Sequence, residues 1–158
     1  MNGKTCSFSG HRQISKAHAN SLPELLSQTV DTLISSGVST FCSGGAMGFD
    51  LLAAGIVLAK RVKNPAVSLR MLLPCRDQTK NWPEKFRRAH NNIVSAADEV
   101  IYFSEKYSPL CMQMRNHALV DSADMLLCYL TRSFGGTMHT VSYAYDKNLQ
   151  IINLATLL

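Results

Sequence analysis

The sequence of 158 residues predicts a single α/β domain over 1–158, Rossmann-like, with a mostly parallel sheet of about six strands and helices on both faces. Strand-type and helix-type patterns alternate along the whole chain. The strand segments are continuous apolar runs, which are typical of strands buried on both faces of a parallel sheet. Each of three glycine-containing turns directly follows a predicted strand, and ligands of such sheets bind at that edge.

In the first half of the chain, short apolar runs predict strands at 4–9, 38–42 and 68–73. A helix is predicted over 21–35, because its leucines and isoleucine form one stripe and because Ser21 and Glu24 have capping-box spacing. Gly37 is expected to end this helix. The next helix, 46–62, is apolar around most of its circumference, which predicts that it is well buried.

The second half continues the alternation, with strands predicted at 99–103, 124–130 and 150–154. Helices are predicted at 81–96, 108–122 and 136–147. The first of these opens at a capping signature, 81–84. The second opens at Ser108 and Pro109, and proline is favoured in the first helical turn.

Composition narrows the class of protein. Apolar residues make up 46% and charged residues 17%, as in ordinary globular domains. The net charge is +5, but Lys and Arg are spread along the chain, which argues against nucleic acid as a partner. No apolar run approaches the roughly 20 residues of a membrane span. The five cysteines form no CxxC pair and the chain starts without a signal peptide, so we expect free thiols, a cytoplasmic location and no metal site.

The three turns form the candidate ligand site. Glycine-rich turns free backbone N–H groups beside a helix N-terminus, a geometry that suits phosphate or another anion. The turns contain Ser9, Gly10, His11 and Arg12; Ser43, Gly44, Gly45, Ala46, Met47 and Gly48; and Gly135, Gly136 and Thr137. The structural alternative is that they are tight turns with helix caps and bind nothing.

Side chains near the turns could add specificity. Arg12 could pair with a phosphate, and His11 could donate to it or stack on a base. Asp50 could hold a ribose hydroxyl or the turn itself. Thr137 and Thr140 could supply hydroxyl donors, or could simply cap the last helix.

A polar pair also stands out in the helix predicted over 108–122. Asn116 interrupts the apolar stripe of Met112, Leu119 and Ala123, and Arg115 lies beside it. Polar groups near a core need partners, and a ligand phosphate or a loop carbonyl could serve. The alternative is an ordinary arginine that snorkels to the surface.

These residues resemble the bacterial YpsA-like family over most of the chain. The matching segments are 10–12 (GHR), 43–48 (SGGAMG), 80–85 (KNWPEK), 97–100 (ADEV), 107–109 (YSP), 114–116 (MRN) and 120–124 (VDSAD). The family belongs to the SLOG superfamily, which includes the DNA-processing protein DprA (Smf) and the Lonely Guy (LOG) phosphoribohydrolases. The resemblance implies a Rossmann-like domain that binds nucleotides or their derivatives.

The chain departs from the phosphoribohydrolase pattern at one position. Those enzymes carry Pro-Gly-Gly-x-Gly-Thr-x-x-Glu, whose glutamate is catalytic together with an arginine. Arg115 stands where that arginine is expected, but residues 135–142 (GGTMHTVS) contain no glutamate. A carboxylate would stabilise the positively charged sugar of the transition state. Whether the chain is an enzyme is therefore open, and Arg115 is the one candidate catalytic residue.

The sequence is compatible with three functions. The first is a binding module or sensor for a nucleotide or nucleotide derivative, with no other cofactor. The second is a hydrolase of the N-glycosidic bond of nucleoside 5′-monophosphates. The third is single-strand nucleic-acid binding, although accessory DNA-binding domains have no room in 158 residues. A homodimer would be ordinary for such a domain, and a protein partner is open.

Overall fold

The computed structural model describes residues 3–158, and Met1 and Asn2 of the predicted leaderless start lie outside the described residues. Six strands are present: β1 Lys4–Gly10, β2 Val38–Ser43, β3 Ser68–Leu73, β4 Glu99–Tyr102, β5 Met125–Tyr129 and β6 Gln150–Asn153. Five α-helices alternate with them: α1 Ser21–Ser35, α2 Phe49–Arg61, α3 Glu84–Ala96, α4 Pro109–Asp121 and α5 Gly136–Asp146. A short 3₁₀ helix, Leu154–Leu157, follows β6.

All six strands run parallel in the order β4-β3-β2-β1-β5-β6. The predicted Rossmann-like α/β fold is confirmed. In the register of β1 and β5, Cys6 lies opposite Met125 and Gly10 opposite Tyr129. The winding reverses between β1 and β5, so the turns that follow these two strands diverge and leave a crevice at the carboxyl edge.

Helices cover both faces of the sheet. α1, α2 and α3 pack side by side on one face, and α4 packs against α5 on the other. The larger core lies under α1–α3, where the ring of Phe8 stacks on Phe41 at 5.7 Å and meets Phe49 edge-on. Full burial of each such side chain contributes about 1.5–3 kcal/mol. Two smaller clusters lie on the other face, one that includes Val120 and Leu126 and one that includes Leu72 and Leu119.

Two predicted helix caps are wrong, for a backbone reason. α1 follows Asn20, and the N–H of Leu22 donates to the carbonyl of His18 at 2.9 Å, so the preceding turn already satisfies an N-terminal N–H. Ser21 therefore makes no capping box. α3 starts at Glu84, the last residue of the 81–84 signature, and its N-cap residue is Pro83, so no side chain of the described residues caps it.

The predicted start of α4 is confirmed, whereas α2 begins later than predicted. The Ser108 hydroxyl accepts from the Cys111 N–H at 3.1 Å, and the Cys111 sulfur accepts from the Ser108 N–H. α2 starts at Phe49 because Gly48 has a φ of +81°, which no helical residue adopts. Ala46 therefore stays in the preceding turn.

All five cysteines are buried and free, and burial raises the pKa of Cys75 and Cys128 to about 12. In the part of the chain from Gly3 onward, none of the helices has the length and apolar character that crossing a membrane requires. Within the same residues, no three His, Cys, Asp or Glu side chains are grouped so as to hold a metal ion.

Candidate functional site

A cleft of about 450 Å³ opens at the carboxyl edge of the sheet, where the winding reverses. Residues of the turns after β1, β2 and β5 line it, together with residues of α4 and α5. The cleft brings together predicted residues from all these elements: Ser9, Gly10, His11, Arg12, Ala46, Asp50, Arg115, Asn116, Gly136, Thr137 and Thr140.

The remaining predicted residues do not line the cleft. These are Ser43, Gly44, Gly45, Met47, Gly48 and Gly135. Their contact with a ligand stays a prediction. Four lining residues were not predicted as site residues: Gln13, Met112, Leu119 and Arg132. Arg132 precedes the turn at 135–137, so its place in a strand-to-helix loop was the available signal.

Packing explains the glycines of the turns after β1 and β2. A Cβ at Gly44 would lie 2.8 Å from Cζ of Arg115, and one at Gly48 would lie 2.6 Å from the carbonyl carbon of Arg12. A Cβ at Gly10 would lie 2.5 Å from the Cβ of Phe49. Atoms this close must move apart, so these glycines allow close backbone approach within the protein itself.

Arg115 stabilises the turn after β2 by hydrogen bonding. Its guanidinium is buried, 4% exposed, and Nη1 donates to the carbonyl of Gly44. Nε donates to Oδ1 of Asn116 at 2.8 Å, so the two polar residues of α4 are bonded to each other. Burial lowers the pKa of Arg115, and the charge of Asp50 opposes that shift. Arg115 does not snorkel; a loop carbonyl is its partner.

Asp50 presents an unsatisfied carboxylate oxygen in the same cleft. The side chain lies in the first turn of α2 and is 5% exposed. Oδ2 accepts from the Ala46 N–H at 3.3 Å, whereas Oδ1 is buried with no hydrogen-bond partner among residues 3–158. Burial raises the pKa of Asp50 to about 6, against the opposing charge of Arg115. An orphaned buried oxygen of this kind costs free energy unless a ligand or water bonds to it.

His11 joins the turns after β1 and β5. Its Nε2 accepts from the Thr131 N–H at 2.9 Å, which places the proton of the neutral ring on Nδ1. Burial, with a smaller effect of Arg132, lowers the pKa of His11. The ring also meets Tyr129 edge-on, with 5.8 Å between ring centroids. These contacts give His11 a structural role in the cleft, and its predicted contact with a base or phosphate stays a prediction.

The N-terminus of α5 faces the cleft. Gly135 precedes it with a φ of +97°, and no side chain of the described residues caps it. The first N–H groups of a helix have no partner within the helix. The Thr140 hydroxyl donates to the Gly136 carbonyl at 3.0 Å, and nothing lies within 4 Å of a Cβ built at Gly136. The cleft therefore has an open helix N-terminus, where an anion would bind.

A second cavity of about 530 Å³ continues from the cleft along the groove between α4 and α5, and we call it the outer lobe. The two cavities share Met112, Asn116, Gly136 and Thr140. The outer lobe is lined in addition by Tyr107, Pro109, Gln113, His117 and His139. None of these residues was predicted as part of the site.

Solved structures of other proteins share the fold of this chain. DprA of Streptococcus pneumoniae superposes with a TM-score of 0.68 at 16% identity, over 94% of this chain and 49% of that one. DprA of Helicobacter pylori, described as having a unique single-stranded DNA binding mode, also gives a TM-score of 0.68, at 20% identity, over 95% of this chain and 65% of that one. At these identities the likeness shows the Rossmann-like fold alone.

Sequence comparison shows the family. A UPF0398 protein of Halalkalibacterium halodurans is 31% identical over 102 residues, which cover 63% of this chain. The match spans about half, 54%, of that relative's length. The model of the YspA SLOG family, YpsA, matches residues 10–153, which include every residue that lines the cleft except Ser9. The chain therefore belongs to the YpsA SLOG family.

Proposed function

We propose that the cleft binds a phosphorylated, nucleotide-type ligand and that the chain works as a ligand-binding module. The observation that carries this proposal is the open N-terminus of α5 beside three arginines, Arg12, Arg115 and Arg132. None of the three is in an ion pair with the acidic side chains of residues 3–158. The cleft thus carries excess positive charge that an anionic ligand would neutralise.

The phosphate would lie against Gly136 and Thr137. The free N–H groups of the first helical turn would donate to its oxygens, and hydrogen bonds to a charged group contribute about 1.5–3 kcal/mol each. The helix dipole adds about 0.3–1 kcal/mol. Arg12 and Arg132 are both exposed and would contact the same phosphate from the cleft mouth, Arg132 by leaving its position 5.0 Å above the Phe134 ring.

The sugar would lie toward Asp50. Its orphaned Oδ1 is an acceptor that a ribose hydroxyl could satisfy, which would remove the cost of leaving it unpaired. A ligand without hydroxyls at that position would leave the cost in place. A ribonucleotide should therefore bind more tightly than the matching deoxyribonucleotide.

A pair of variants matched in size and different in charge tests the phosphate site. The wild-type protein is titrated with nucleoside 5′-monophosphates, dinucleotides and ADP-ribose derivatives by isothermal calorimetry and native mass spectrometry. Gly136→Asp places a carboxylate where the phosphate would lie, and Gly136→Asn has nearly the same size without the charge. We expect Gly136→Asp to weaken binding at least about tenfold more than Gly136→Asn, since like charges repel at short range. Equal affinities in the two variants would refute the site.

A hydrolase is the second candidate, because Asp50 is a carboxyl whose raised pKa, about 6, suits proton transfer near neutral pH. It lies in the cleft with Arg115, the candidate catalytic residue. Liquid chromatography of the incubated monophosphates would detect free base. Release of base that disappears in Asp50→Asn would support the enzyme, and intact ligand after prolonged incubation would support the binding module.

Single-stranded nucleic acid is the third candidate. The expectation against nucleic acid gains no support from the comparisons, since the Helicobacter pylori neighbour is described as binding single-stranded DNA. The arginines at the mouth of the cleft would then contact a backbone phosphate. The logarithm of the binding constant for a single-stranded oligonucleotide should fall linearly with the logarithm of the salt concentration, with a slope of about −0.7 for each phosphate contacted. We also propose that the chain forms a homodimer and that a protein partner recognises its ligand-bound form.

A further inference from the structure

We infer that the outer lobe is the base-recognition part of the site, so that the ligand lies with its phosphate at α5 and an uncharged heteroaromatic ring between α4 and α5. This inference rests on the proposed function. It differs from the sequence-based hypothesis, in which His11 stacks on the base. His11 is occupied by Thr131 and Tyr129, whereas the outer lobe offers rings that are still accessible.

The two cavities differ in chemistry. The cleft is lined by three arginines and one carboxyl group. None of the residues that line the outer lobe is Lys, Arg, Asp or Glu, and three of them carry aromatic rings: Tyr107, His117 and His139. A ligand that fills both cavities must therefore be anionic at one end and uncharged and planar at the other. A nucleotide has this distribution of charge.

The shared wall sets the order of the groups. Gly136 and Asn116 line both cavities, and Gly136 begins the helix whose N-terminus would hold the phosphate. The ribose attached to that phosphate would lie at this boundary, with its hydroxyls directed toward Asp50 in the cleft and its base directed toward the outer lobe. Gln113, one turn before His117 on α4, places an amide in the outer lobe, where it could bond to the edge of a base.

The His117 ring of the outer lobe is held in place before any ligand binds, and the backbone of Tyr107 is anchored. The Tyr107 N–H donates to Oδ1 of Asp77 at 2.9 Å, while the Tyr107 side chain is 63% exposed. The ring of His117 stacks on Tyr143, with 4.0 Å between centroids and 14° between planes. The Tyr143 hydroxyl in turn donates to Asp121 at 2.8 Å. The His117 ring, fixed in this way, loses little entropy when a base packs against it.

Pairs of ligands that differ only in the base test the inference. The four nucleoside 5′-monophosphates, ribose 5-phosphate and inorganic phosphate are titrated into wild type, Tyr107→Ala and His139→Ala by calorimetry. Tyr145→Ala is the matched control, because Tyr145 is a 76% exposed tyrosine of α5 that lines neither cavity. Circular dichroism checks that each variant is folded.

We expect at least one monophosphate to bind about 5- to 150-fold more tightly than ribose 5-phosphate, the range given by stacking of one base. Tyr107→Ala or His139→Ala should remove this gain and leave ribose 5-phosphate unchanged, while Tyr145→Ala changes neither. Monophosphates that bind no better than ribose 5-phosphate would overturn the inference but leave the proposed phosphate site intact. Equal weakening of both ligands would overturn it too. Failure of all the probes, phosphate included, would overturn the proposed function as well.

Discussion

Replacing Gly44 with alanine should destabilise the protein, because a Cβ there would lie 2.8 Å from Cζ of Arg115. An exposed arginine would move aside at little cost. Arg115 is buried, and its guanidinium donates both to the Gly44 carbonyl and to Oδ1 of Asn116. The added methyl group must therefore displace the guanidinium, the turn or both.

The cost can be worked from these contacts. Loss of one hydrogen bond to a charged group costs about 1.5–3 kcal/mol, and overpacking of a filled site costs about 1–3 kcal/mol. The two costs are not additive, because a guanidinium that moves away from the added methyl group loses its hydrogen bond. We therefore expect the free energy of unfolding to fall by about 2–4 kcal/mol in total. For a chain of this size that lowers the melting temperature by roughly 5–15 °C.

Gly55→Ala is the control. Gly55 lies within α2, and nothing lies within 4 Å of a Cβ built there. Alanine in a helix is favoured over glycine by about 0.5–1 kcal/mol, so this variant should be slightly more stable than wild type. Urea unfolding and thermal melts of the two variants give the comparison. If Gly44→Ala is as stable as Gly55→Ala, the guanidinium of Arg115 does not pack against Gly44.

Three further predictions concern charge. The pKa of Asp50 is raised to about 6 from 3.8, so its contribution to stability is present below pH 4 and is lost as the pH rises through 6. In urea unfolding from pH 4 to 8, the free energy of unfolding of Asp50→Asn should rise by up to about 3 kcal/mol relative to that of wild type. His90 donates from Nδ1 to the Gly45 carbonyl at 3.0 Å, and burial lowers the pKa of His90 below 6.5. Its contribution to stability is therefore lost as the pH falls below 6.5. His90→Gln should reduce the pH dependence of the free energy of unfolding below pH 6.5, and an unchanged dependence would contradict the assignment. Arg12→Ala and Arg132→Ala should each weaken phosphate binding several-fold and reduce its salt dependence, because both side chains are exposed charges at the mouth of the cleft. Calorimetry at two ionic strengths measures both effects. Affinity and salt dependence equal to those of wild type would place the phosphate elsewhere.

Long-range contacts account for what sequence reasoning missed in the site. The bond from Arg115 to Gly44 joins residues 71 positions apart, and the bond from Thr131 to His11 joins residues 120 apart. Periodicity reports only which face of a helix is apolar. It could show that Asn116 interrupts a stripe, but not that Arg115 would be buried against a glycine of another turn. The outer lobe depends in the same way on how α4 packs against α5.

The sequence by itself determined the six strands and five helices, the family, and the convergence of three turns at one edge of the sheet. Each of these depends on local periodicity, on glycine at strand ends, or on short motifs such as Ser108-Pro109. Only the tertiary structure decided the strand order, the packing role of Gly44 and Gly48, the orphaned oxygen of Asp50 and the outer lobe. These features arise where segments distant in the chain come into contact, and the free energy of such contacts leaves no trace in the spacing of residues along the chain.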